Sequence, residues 1–192
     1  VSFILLVGCS LFERDKGNPY SKSIIYSDRV ESEWAEISYK IPDGHECTDE
    51  ILLALEIEMD SKYYATDQKV STDIDYEMAS LDEAGNNVVV MSMKVSNEKG
   101  KKIDFKRAEK EILRSLKSGS NSEWSPSEVE FCGSSYNMYE TNFKDIENED
   151  LRQVIILKEL GDNRIIVILF TYYEQEDFSK MWDAFEPLQE TR

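Results

Sequence analysis

The chain has 192 residues, 41% of them hydrophobic and 11% aromatic, enough for one globular domain with a real core and short for two. Its 22 Lys and Arg against 39 Asp and Glu leave a formal net charge of −17, which repels phosphate backbones and argues against a nucleic-acid partner. Anionic headgroups are repelled as well, so the folded body is not expected to lie flat on a membrane.

The first residues read as a targeting segment rather than as part of the fold. Val1-Ser-Phe-Ile-Leu-Leu-Val7 is apolar almost throughout and then meets Gly8-Cys9. The run is far short of the ~20 residues needed to span a bilayer. It has the character of a signal-peptide h-region closing on a small residue, without a basic n-region ahead of it, so residues 1–8 read as a truncated lipoprotein signal peptide. Leu6-Val7-Gly8-Cys9 resembles the lipobox of bacterial lipoproteins. In that family the cysteine thiol is alkylated by a diacylglyceryl group and the chain is cut just before it. The resemblance implies lipidation of Cys9 and a membrane partner reached through that lipid, with two or more acyl chains giving a stable anchor. Residues 9–32 are rich in Ser, Lys, Asp and Asn, include Pro19, and read as a flexible tether. Ile24-Ile25-Tyr26 interrupts that tether and is apolar enough to dock on the domain.

Residues 33–192 form the expected single domain. Ile37, Tyr39 and Ile41 alternate with Glu36, Ser38 and Lys40, the pattern of a half-buried strand, which Pro42-Asp43-Gly44 stops. Thr48 is placed to cap a helix carrying Ile51, Leu52, Leu55 and Met59. Ile74, Tyr76 and Met78 alternate against Asp73, Asp75 and Glu77, a strand with one wet face. A turn at Gly85-Asn86-Asn87 then leads into a second strand from Val88. Asp104 caps an amphipathic helix with Phe105, Ala108, Ile112 and Leu116 in one stripe. Strands follow around turns at Gly133-Ser134-Ser135 and Gly161-Asp162-Asn163. The run from Ile165 to Phe170 is apolar on both faces, which requires a central strand covered on both sides. A last helix is expected to carry Phe178, Met181, Trp182 and Phe185. The order β-α-β-β-α-β-β-β-β-α, with short hairpins, predicts an α+β fold: a three-layer α/β/α sandwich on a mainly antiparallel sheet.

The strand running into Ile41-Pro42-Asp43-Gly44, the helix after it, two hairpins around a second helix and the closing Phe/Trp helix resemble the PsbP-like domains of small bacterial surface lipoproteins. The resemblance implies a binding or assembly module. The metal-ligand motif of the photosynthetic members has no counterpart here, so no metal site is carried over.

Motifs for catalysis are scarce. His45 is the only histidine, so any Ser-His-Asp or Cys-His system would have to use it; just past a turn, such a residue is ordinarily solvated. Gly133-Ser134-Ser135 lacks the Gly-x-Ser-x-Gly form of a nucleophile elbow. Cys132, at a strand end, reads as a small apolar filler. With Cys9 set aside, Cys47 and Cys132 remain: in an oxidising exterior they either pair in a disulfide or stay as two separate buried thiols. Asp73, Asp75 and Glu77 share a face without the loop of a calcium site, no Cys/His zinc spacing occurs, and no Gly-rich phosphate loop is present. Tyr63-Tyr64 and Tyr172-Tyr173 are candidates for a groove, because adjacent residues on a strand cannot both face the core. The expectation is an extracytoplasmic, lipid-anchored binding or assembly module for an unknown envelope protein or ligand, without catalysis, cofactor or metal. The alternative is an exported glycosidase-like hydrolase working through paired carboxylates.

Overall fold

The computed structural model describes residues 20–48, 70–97, 99–116, 123–144 and 150–189. The strand apolar on both faces organises the rest. This strand, β10 (Ile165–Tyr172), is buried at every position. It lies fourth in an antiparallel sheet of seven, with β6 (Asn87–Asn97) on one side and β9 (Asp150–Glu159) on the other. Beyond β6 come β5 (Val70–Asp82) and the short edge strand β4 (His45–Glu46). Beyond β9 come β8 (Ser134–Lys144) and the edge strand β7 (Ser125–Phe131), whose polar residues and Pro126 blunt an otherwise pairable edge. The hairpins expected at Gly85 and near Gly133 are present, with Gly85 at φ 92.

Alternation along each strand sends side chains to two separate cores. Ile165, Val167 and Leu169 join Met91, Met93, Ile155 and Leu157 under helix α1 (Phe105–Leu116), which contributes Ala108 and Ile112. The Asp104 carboxylate accepts from the Arg107 amide at 3.1 Å, the cap read from the sequence. On the opposite face, Ile166, Ile168 and Phe170 meet a second sheet that the sequence did not announce. That sheet runs β1 (Ile24–Ile25), β2 (Arg29–Ser32), β3 (Ile37–Lys40) and β11 (Phe185–Pro187), antiparallel throughout. Helix α2 (Gln175–Asp183) lies beside it, and Phe131, Phe170, Phe178, Trp182 and Phe185 pack with ring centroids 4.7–5.9 Å apart.

The three-layer α/β/α expectation is therefore overturned. Among the described residues the protein is mostly β, with sheets of seven and four strands and two helices. One face of the large sheet carries a helix, while the other is covered mainly by the small sheet. Two local readings change with it. Residues 20–32, read as part of a tether, are packed into the domain, with Ile24–Ile25 and Arg29–Ser32 as strands of the small sheet; residues 9–19 lie outside the described residues. Phe185 lies not on the last helix but in β11, paired with Tyr39 of β3, their rings 4.6 Å apart. The helix expected after Thr48 lies outside the described residues. Among those described, no helix is long and apolar enough to cross a membrane.

Candidate functional site

A cleft of about 490 Å³ lies at the end of the large sheet where three connections converge. The β2–β3 turn supplies Trp34 and Glu36, the β7–β8 turn supplies Cys132, and Lys158 and Leu160 come from the end of β9 and the link to β10. The Trp34 indole N–H donates to the Gly161 carbonyl at 3.4 Å, and the Leu188 amide to the Glu36 carbonyl at 2.9 Å, tying turn to turn and tail to turn. Lys158 stands over the Tyr136 ring, Nζ 5.5 Å from its centroid.

Two non-glycine residues of this rim hold left-handed backbone: Glu36 at φ 58 and Cys132 at φ 48. Cys132 and Gly133, at φ 73, are the two residues between β7 and β8, and a tight two-residue hairpin turn of the I′ kind demands positive φ at both. Cys132 is thus a turn residue rather than a strand-end filler, and Ser134 and Ser135 already belong to β8. Burial, and then the Glu186 carboxylate, push the Cys132 thiol up to about 11, so at neutral pH it is a thiol and not a thiolate nucleophile. Burial, then Cys132 and Glu36, drive the Tyr136 phenol well above its ordinary range. Cys47 and Cys132 are not joined in a disulfide, and both contribute to the core on the small-sheet side.

His45 departs from its expected solvated position. Its side chain is 4% exposed, and its imidazole lies near Ser80 (Oγ–Nδ1 3.3 Å) and Asp82 (Nε2–Oδ2 3.9 Å). The residue types of a catalytic triad are therefore together, yet the assembly is built as a core contact. Ser80 is wholly buried and its hydroxyl oxygen is bonded by the Tyr39 hydroxyl at 3.2 Å, which fixes it as a core group. No substrate carbonyl reaches that oxygen. Burial lowers the His45 pKa, with Asp82 and Asp177 opposing and Lys180 assisting.

Glu77, expected on a wet face, is not wet either. A bulge between Tyr76 and Met78 leaves Glu77 unpaired in the β5–β6 register, and its side chain turns inward, 1% exposed. There it accepts from the Tyr20 hydroxyl (2.8 Å), the Ser23 amide (2.7 Å) and the Ser23 hydroxyl (2.8 Å). Arg164 is ion-paired with Asp75, donates to Ser92 Oγ at 2.9 Å and lies 3.9 Å from the Tyr20 ring centroid. The carboxylates thus hold down the incoming chain. Asp73 is exposed, and no three His, Cys, Asp or Glu among the described residues gather as metal ligands.

Comparison with protein-family models finds no match, and neither does comparison with curated proteins. The remaining candidates fall where the fold puts them. Cys9 and Tyr63-Tyr64 lie outside the described residues. Tyr172 lines a second, smaller pocket, while Tyr173 donates its amide to the Asn86 side chain at 3.0 Å, near Gly85. Arg164 and Tyr20 were not singled out from sequence. The available signal was one cation beside a both-faces-apolar strand, in a chain where cations are the minority.

Proposed function

We propose that this protein is an extracytoplasmic lipoprotein, held at the membrane by lipid on Cys9, whose domain is a binding or assembly module without catalysis. The observation that carries the module reading is the turn-end cleft: it is open and mixed in character, yet its thiol is held protonated. The only imidazole is sealed elsewhere against a buried serine. Such a cleft offers aromatic and aliphatic surface, one lysine and two rim glutamates, which is equipment for recognition rather than for bond cleavage. The likeness of Leu6-Val7-Gly8-Cys9 to a lipobox supports the anchor.

Two measurements test the two halves. Mass spectrometry of the mature N-terminus from the native host is expected to show acylated Cys9; an unmodified Cys9 would remove the anchor. Pull-down from the native envelope with the acylated protein is expected to retain a partner that Lys158→Glu and Leu160→Asp release. Equal retention by both variants, folded by thermal melt, would move the binding surface away from the cleft.

A further inference from the structure

A second pocket, of about 290 Å³, lies on the same face of the large sheet toward its other end, between β8, β9, β10 and the start of α2. Its cation is Arg152, in β9 directly opposite Asn142 of β8 and Tyr172 of β10, so the three share one face. Glu140 lies two positions from Asn142 on that face, and Glu123 and Gln175 close the sides. Arg152 is partly buried and makes no ion pair with any described residue, in a chain with 39 acids. Its guanidinium and Glu140 are nonetheless close enough that both act on the Tyr172 phenol: burial and then Glu140 push its pKa up, and Arg152 pulls it back.

We propose that this pocket binds a small zwitterion of the α-amino-acid class. A planar guanidinium takes a carboxylate in a bidentate grip. Glu140 and Glu123 are the complementary partners for an ammonium, and the Asn142 and Gln175 amides donate or accept at either end. A simple anion would enter against both glutamates and the chain's net charge of −17, while a simple cation would enter against Arg152. A molecule carrying both charges incurs neither cost. The size agrees: at about 30 Å³ per water, the pocket holds roughly ten non-hydrogen atoms, as in glutamine. Phe178 offers an apolar wall for the side chain. Arg152 and Lys158 stand about 20 Å apart along β9 at ~3.3 Å per residue, so the pocket is separate from the turn-end cleft and does not depend on what that cleft holds.

The full chain, 15N-labelled, is titrated with glycine, L-glutamine and L-phenylalanine up to about 10 mM, a range that detects millimolar binding. At least one is expected to shift the amides of residues 140–142, 152–153 and 172–175. N-acetyl-L-glutamine, which lacks the ammonium, and L-glutaminamide, which lacks the carboxylate, are each expected to bind about tenfold more weakly than L-glutamine. Arg152→Met should abolish the response and Glu140→Gln should weaken it, with unchanged thermal melts showing that both variants fold. Silence at those amides with all three zwitterions would overturn the assignment. So would equal binding of either blocked analogue, or an unaltered titration of Arg152→Met.

Discussion

Replacing Glu77 by alanine should detach the segment around Tyr20 and Ser23 from the large sheet. The wild-type carboxylate accepts three hydrogen bonds, from Tyr20 Oη, Ser23 N and Ser23 Oγ, at 2.7–2.8 Å. A hydrogen bond to a charged acceptor contributes ~1.5–3 kcal/mol, but three bonds to one carboxylate are not additive. The donors lie partly buried at the domain edge, and water reaches them once the segment lifts, which caps the loss. The expected cost of Glu77→Ala is then about 2–4 kcal/mol, since the mutation removes the charge and leaves neutral donors unsatisfied. Glu77→Gln keeps an acceptor for both Ser23 groups, and its amide donates to a Tyr20 hydroxyl that turns to accept. Only charge assistance is lost, at about 1–2 kcal/mol. Urea unfolding gives the magnitude. Fluorescence gives the place, because buried Trp34 packs edge-on against Tyr20 at 5.4 Å and should respond before global unfolding. Amide exchange at Ser23 should accelerate in step. A Glu77→Ala protein within about 1 kcal/mol of wild type, its Ser23 amide still protected, would refute this account of the latch.

His45, buried neutral with a lowered pKa, makes the unfolded chain the better proton binder below its ordinary value of 6.5, so stability should fall as pH drops through that value and level off below the folded pKa. His45→Gln should flatten this part of a pH series of chemical melts, and a slope that survives would place its origin elsewhere. Five tyrosines, Tyr20, Tyr39, Tyr136, Tyr139 and Tyr172, have raised pKa values, burial being the first cause in each. The folded state therefore holds phenol protons that the unfolded chain gives up near pH 10, and stability should fall above that value, with these phenols ionising together with unfolding in an ultraviolet titration. Independent, stepwise ionisation of a still-folded chain would contradict it. Glu36→Gly relieves left-handed strain of ~1–2 kcal/mol and gives back part of it as unfolded-chain entropy, for a net gain of about 0.5–1 kcal/mol in urea unfolding. A destabilised variant would show that the Glu36 side chain contributes more than its backbone costs.

The sequence by itself determined the elements whose periodicity runs long enough to be read. These are the two-faced strand at the centre of the large sheet, its hairpin neighbours, and the Asp104-capped helix with Ala108 and Ile112 inward. What only tertiary structure decided comes from contacts between distant residues. Of the small sheet only β3 was legible, through Ile37 and Tyr39; β1, β2 and β11 have two to four residues, too few for alternation to register, and Phe185 pairs with Tyr39 across most of the chain. A strict period of two assigned Glu77 to a solvated face, and the reading failed because a segment more than fifty residues earlier covers that face. His45 was misread for the same reason: being just past a turn says nothing about Ser80, which reaches it from β5 and is itself bonded by Tyr39 of β3. Burial of a polar group is set by what arrives from elsewhere in the chain, and local pattern carries no record of that arrival.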